Sequence, residues 1–122
     1  MKNILNWFEI PVTDFERGKK FYETILGCQL QSMDFGGLQM AMFPMEQGIV
    51  SGALCCGNDY KPSMDGVVLY FNADPDLSEA LGKVEGAGGK ILIPKTQISP
   101  EYGYMASFVD TEGNRVALHS NK

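Results

Sequence analysis

The stretch Trp7-Phe8-Glu9-Ile10-Pro11-Val12-Thr13-Asp14-Phe15-Glu16-Arg17 changes hydrophobic period part-way along, and that change decides the fold. From Ile4 to Val12 the even positions are mostly apolar (Ile4, Phe8, Ile10, Val12), while Leu5, Trp7 and Glu9 share the other face, as in a strand. Pro11 has no N–H to give to a ladder, which places it near a strand end or on an edge. Thr13 then offers an N-cap with Glu16 three residues on, a capping box. In the helix this predicts, Phe15, Tyr22, Ile25 and Leu26 fall on one stripe with Phe21 beside it, and Gly18 permits a close approach to a sheet. Gly27 closes the helix in a left-handed cap.

Working outward, Cys28 to Phe35, Leu38 to Phe43 and Ile49 to Cys56 read as three strands, the first two joined by a tight turn at Gly36-Gly37. Gly57 to Ser63 is polar and turn-rich, a linker. The plan then recurs. Gly66 to Asn72 reads as a strand, Asp74-Pro75 as an N-cap and first turn, and Leu77, Ala80, Leu81, Val84 and Ala87 as a helical stripe ended by Gly88-Gly89. Lys90 to Pro94, Tyr104 to Val109 and Arg115 to Ser120 complete it, the last two joined through Asp110 to Asn114. Gly27 and Gly88 close equivalent helices 61 positions apart. The chain is therefore βαβββ twice, an α+β arrangement with one module at about 1–57 and another at about 66–122. Each is too small to bury a sheet face alone, so the expectation is one domain over 1–122.

Composition narrows the function. Of 122 residues, 44% are hydrophobic and 20% charged, and ten Lys and Arg against fifteen Asp and Glu leave a net charge of −5. A nucleic-acid partner calls for a basic footprint, so none is expected. No apolar run approaches the ~20 residues of a membrane span. Glu9 interrupts what would be a leader's apolar core in the stretch that begins Met1-Lys2, so a cytoplasmic location is expected. Cys28, Cys55 and Cys56 are odd in number and lack zinc or disulfide spacing, which fits reduced thiols.

The opening from Trp7 to Arg17, with Phe21-Tyr22 and Ile25-Leu26-Gly27, resembles that of the glyoxalase/bleomycin-resistance/extradiol dioxygenase family, the vicinal oxygen chelate superfamily. The close, Phe108-Val109-Asp110-Thr111-Glu112-Gly113-Asn114-Arg115-Val116-Ala117-Leu118, is similar to that family's F-x-D-P-x-G-N-x-x-E-L ending. The resemblance implies one curved eight-stranded sheet enclosing a cavity, with flanking helices, a homodimer, and a divalent metal held from the first and last strand of each module. Those places here carry Trp7, Ala53, Val68 and Ala117. An indole N–H, two methyls and an isopropyl give a metal no lone pair, so no metal and no cofactor is expected, and metal-dependent glyoxalase or dioxygenase activity loses its basis.

Two positions along a strand return to the same face. From the vacated places this step reaches Glu9, Cys55, Tyr70 and His119, which are expected to share the cavity with Trp7, Phe71 and methionines. Tyr102 and Tyr104, in the stretch Thr96 to Tyr104, are expected at its mouth as a lid or an ordinary connection. Two functions follow. One is binding of a small, partly apolar organic molecule. The other is a metal-independent isomerase or lyase in which Glu9 and His119, the only histidine, exchange protons and Tyr70 orients a substrate oxygen. An interaction module using the acidic surface is a third class without a specific motif.

Overall fold

The computed structural model describes residues 3–122 and has the element order β1 (Trp7–Pro11), α1 (Phe15–Leu26), β2 (Gln31–Phe35), β3 (Leu38–Met42), β4 (Ser51–Cys56), β5 (Tyr70–Asn72), α2 (Ser78–Val84), β6 (Lys90–Ser99), β7 (Gly103–Val109) and β8 (Arg115–Ser120). Met1 and Lys2, where the stretch read for a leader begins, lie outside the described residues. The twofold βαβββ order is present. The strands form two four-stranded sheets, β1-β4-β3-β2 and β5-β8-β7-β6. In each, the module's first strand runs parallel to its last, and the remaining pairs are antiparallel.

The two sheets do not join into the single closed sheet that the family resemblance implies. β1 and β5 are both edge strands, Pro11 offers no N–H, and only Tyr70–Asn72 of the expected Gly66–Asn72 strand is regular. At the junction the rings of Phe8, Phe43, Tyr22 and Phe71 pack with centroids 5.5–5.9 Å apart, where a continuous sheet would have backbone hydrogen bonds.

Around that aromatic cluster lies a core shared by both halves. Ile10, Val12, Ala41 and Leu54 enter it from the first sheet, and Ala106, Phe108, Val116 and Leu118 from the second. Phe21, Tyr22 and Ile25 of α1 and Ala80, Leu81 and Val84 of α2 complete it. Each sheet therefore has an inner face on the core and an outer face turned away from it. Gly18 meets the sequence expectation: a Cβ there would lie 2.9 Å from Val12 Cγ1. Gly27 closes α1 at φ 65°.

Both helix starts differ from the sequence expectation. Asp14 caps α1, accepting from Arg17 N at 3.1 Å. Thr13 stands one residue too early, and the N–H that a capping box would give to Glu16 goes instead to Glu112 Oε1 at 2.9 Å, as does that of Asp14 at 2.7 Å. Asp74 does not cap α2; its carboxylate accepts from Asn121 N at 2.8 Å, and α2 begins four residues later without a side-chain cap.

The β7–β8 turn binds the two modules. Glu112 Oε2 also accepts from Arg17 Nε at 2.7 Å and Thr111 Oγ1 at 2.9 Å. Asp110 Oδ2 accepts from the buried Tyr22 hydroxyl at 2.6 Å, and Asn114 Nδ2 donates to Pro11 O at 2.7 Å. Burial pushes the Glu112 carboxyl up, but the hydrogen bonds from Arg17, Asp14, Thr111 and Thr13 outweigh it and hold the carboxyl below its usual 4.5. A depressed carboxyl contributes stability above its unfolded value and loses it as pH falls through the folded one. We expect Glu112→Ala to cost about 3 kcal/mol in urea denaturation at pH 7, because it strands two backbone N–H groups. The gap between wild type and variant narrows as pH is lowered from 5 to 3.

Candidate functional site

Strand alternation and register assemble the outer face of the first sheet. Trp7 and Glu9 point outward from β1, and Glu9 lies beside Ala53, and Pro11 beside Cys55, on β4. Met42 and Met40 of β3 pair with those same two residues. Met40, Ala53 and Cys55 form a buried cluster of their own, with Leu38, Met42 and Tyr60 packed on it. Against this apolar floor stands one carboxylate. Glu9 Oε1 accepts from the Tyr60 hydroxyl at 2.6 Å, and Oε2 accepts from Trp7 Nε1 at 3.2 Å.

The electrostatics follow from that geometry. The hydrogen bond to Glu9 raises the Tyr60 phenol to about 12, so Tyr60 stays a proton donor across the physiological range. Burial, then the Glu9 charge, pushes the Cys55 thiol up to about 12. Cys55 is thus an inert wall rather than a nucleophile.

The other expected residues belong to the second sheet. Tyr70, 56% exposed, pairs with Ala117, and His119 lies between Asn72 and Met105 on the same outer face. His119 Nε2 donates to the Tyr102 carbonyl. Tyr102 itself is exposed at the β6–β7 turn. Phe71, expected in the cavity, and Tyr104, expected at its mouth, both turn toward the core side of the second sheet. Phe71 is one position from Tyr70, so alternation sends it into the aromatic cluster. Tyr104 packs against the core with Lys95 Nζ 4.7 Å above its ring. The stretch expected as a loop or lid is mostly regular: β6 runs to Ser99 and β7 resumes at Gly103.

Within one chain, then, Glu9 is joined by Trp7, Tyr60 and Cys55, while Tyr70 and His119 stand on a different sheet. Two cavities open at the module junction. One, of about 370 Å³, runs along the β1 edge and is lined by Glu9, Pro11, Lys61, Asp65, Leu69 and Arg115 among others. The second, of about 640 Å³, is an apolar slot lined by Leu5, Phe8, Phe43, Val67, Tyr70 and Phe71 among others. Neither is lined by His119.

Tyr60 is the site residue that sequence reasoning missed. It lies in the polar linker, where its backbone N–H closes a turn on Gly57 O at 3.1 Å. An aromatic residue amid turn formers is the only signal it leaves in the sequence.

Residues 4–118 match the sequence profile of the Glyoxalase/Bleomycin resistance protein/Dioxygenase superfamily. The chain belongs to that superfamily. A glyoxylase-like domain-containing protein of Didymella fabae is 30% identical, with 93% of this chain and 91% of the relative covered. Glyoxalase I of Zea mays superposes with a TM-score of 0.69 at 27% identity over 96% of this chain. This chain spans only 46% of the maize protein. TnmS3, an antibiotic-binding protein from Streptomyces sp. CB03234, shares the fold with a TM-score of 0.67 at 20% identity, covering 98% of this chain and 97% of that one.

The side chains at the four places that the family resemblance assigns to a metal do not fit one. Trp7 and Ala53 on one outer face and Ala117 on the other lack a lone pair to give, as does Val68, just ahead of β5. Among the described residues no three His, Cys, Asp or Glu side chains are grouped as a metal requires. No helix among them is long and apolar enough to cross a membrane.

The inertness of Cys55 is directly measurable. A thiol near 12 is ionised at pH 8 to about one part in ten thousand, roughly a thousandfold less than an ordinary thiol. Iodoacetamide at pH 8, read by tandem mass spectrometry, should leave Cys55 unmodified in folded protein and label it after unfolding.

Proposed function

We propose that this glyoxalase-like chain binds a small, partly apolar organic molecule on the outer face of its first sheet, without a metal ion. The observation that carries this reading is the Trp7–Glu9–Tyr60 set: a carboxylate held by two neutral donors on a face of methionines, beside Trp7 and Ala53 at the superfamily's metal positions. Buried, adaptable methionine and an exposed indole supply apolar contact, and Glu9 supplies a fixed polar anchor. TnmS3, which shares the fold, is named an antibiotic-binding protein, and this supports a binding reading. The three free cysteines support a reducing, cytoplasmic setting.

A homodimer belongs to the same proposal. Both junction strands have a free edge, and Leu5 and Val67, 54% and 88% exposed, border the open slot between the modules. A second copy would cover these edges and extend the outer faces into an enclosed site. The acid–base alternative, an isomerase or lyase acting through Glu9 and His119, depends on such a partner. One chain keeps those two groups on separate sheets, and only a neighbouring copy could present His119 to the Glu9 face.

Three measurements check these statements. Equilibrium sedimentation should give twice the chain mass for wild type and a lighter species for Val67→Asp. Zinc, nickel or manganese added at tenfold molar excess should leave Tm unchanged; a stabilising shift of several degrees would count against metal-free binding. Trp7 is the only tryptophan, so ligands of this face should quench its fluorescence, and Met42→Lys should abolish the effect.

A further inference from the structure

The Glu9 carboxylate has no ion-pair partner among the described residues. The ion pairs among the described residues are Arg17 with Glu112 and Lys95 with Asp76, and neither involves Glu9. Its two hydrogen-bond donors, the Tyr60 hydroxyl and the Trp7 indole, are neutral. They fix the orientation of the carboxylate without changing its charge, and the remaining lone pairs of both oxygens stay open to a further donor.

The surroundings select what kind of donor fits. Met40, Ala53 and Cys55 are buried beneath the carboxylate, and the only hydrogen-bond donor among their side chains is the weak Cys55 thiol. Trp7 is 37% exposed, so part of its ring is open to a ligand beside the carboxylate. An indole face attracts cations through its quadrupole, and a carboxylate attracts them by charge-assisted hydrogen bonding. Here the two lie on adjacent outward positions of one strand, joined by a hydrogen bond. The net charge of −5 adds a weak long-range attraction of the same sign. Lys61 and Arg115 line the cleft along the β1 edge that Glu9 also borders, but neither reaches Glu9 in an ion pair.

We propose, building on the ligand-binding reading of this face, that its occupant carries a positively charged nitrogen on an apolar, aromatic body. The nitrogen sits against Glu9 and the Trp7 ring, and the body lies over the methionine floor. An anionic ligand of the same shape is repelled at Glu9. A neutral one keeps the apolar contacts and loses the charge-assisted bond.

Three probes of matched shape test this: 4-nitrobenzylammonium, 4-nitrobenzyl alcohol and 4-nitrobenzoate, each titrated at pH 7 against quenching of Trp7. The ammonium is expected to bind at least about tenfold more tightly than the alcohol, with the benzoate weakest. Glu9→Gln keeps a polar amide at an exposed position without the charge, and should bring ammonium and alcohol within about twofold of each other. Tyr60→Phe, which frees one carboxylate oxygen without removing the charge, should preserve the ammonium preference. Equal binding of ammonium and alcohol by wild type, or a preference that survives in Glu9→Gln, overturns the charge selectivity and leaves the binding face standing. Failure of all three probes to quench Trp7 overturns both.

Discussion

Four donors end on the carboxylate of Glu112: the backbone N–H groups of Thr13 and Asp14, the Arg17 side chain and the Thr111 hydroxyl. Three of them come from the first module and the acceptor from the second. Beside it, Asp110 holds Tyr22 of α1 and Asn114 holds the carbonyl of Pro11. One five-residue turn therefore clamps the exit of β1 and the start of α1. Polar groups buried this deeply are costly unless satisfied, so the junction has one acceptable geometry and tolerates little drift. That geometry sets where β1 lies, and with it the direction in which Trp7 and Glu9 point.

From this clamp follows the division of labour between the faces. Inner positions of both sheets meet the two helices in one core, and outer positions are left for chemistry. A one-residue step along any strand exchanges the two roles. Phe71 and Tyr70 illustrate it: neighbours in sequence, one sits in the aromatic cluster and the other is exposed beside Ala117. The same step separates Phe8, packed on Phe43, from Glu9, hydrogen-bonded to Tyr60. Glu9 is the carboxylate of its face, and its hydrogen-bond donors there, Tyr60 and Trp7, are neutral.

Much of this was legible in the linear pattern. Period-2 alternation from Ile4 to Val12 is enough to place Trp7 and Glu9 together, and the repeat of strand, helix and three strands follows from turn residues and helical stripes. The glycine of a left-handed cap and the small residue of a close approach, Gly27 and Gly18, behave as local physics demands. Where the reading went astray, a distant group had intervened. Thr13 and Glu16 have capping-box spacing, yet Glu112, about a hundred residues away, takes the Thr13 N–H, and Asp14 caps the helix. Gly66 to Leu69 is strand-like in composition, yet the regular strand is only Tyr70–Asn72, parallel to β8.

The sequence by itself determined the α+β class, the twofold module order and the superfamily, because each depends on local periodicity or on motifs at the two ends of the chain. Tertiary structure alone decided that the sheets stay separate, that Glu9 and His119 stand apart within one chain, and that Tyr60 completes the Glu9 site. Those outcomes depend on how two edges meet and on where a linker turn comes to rest. Contacts between groups tens of residues apart set both, and no local pattern encodes them.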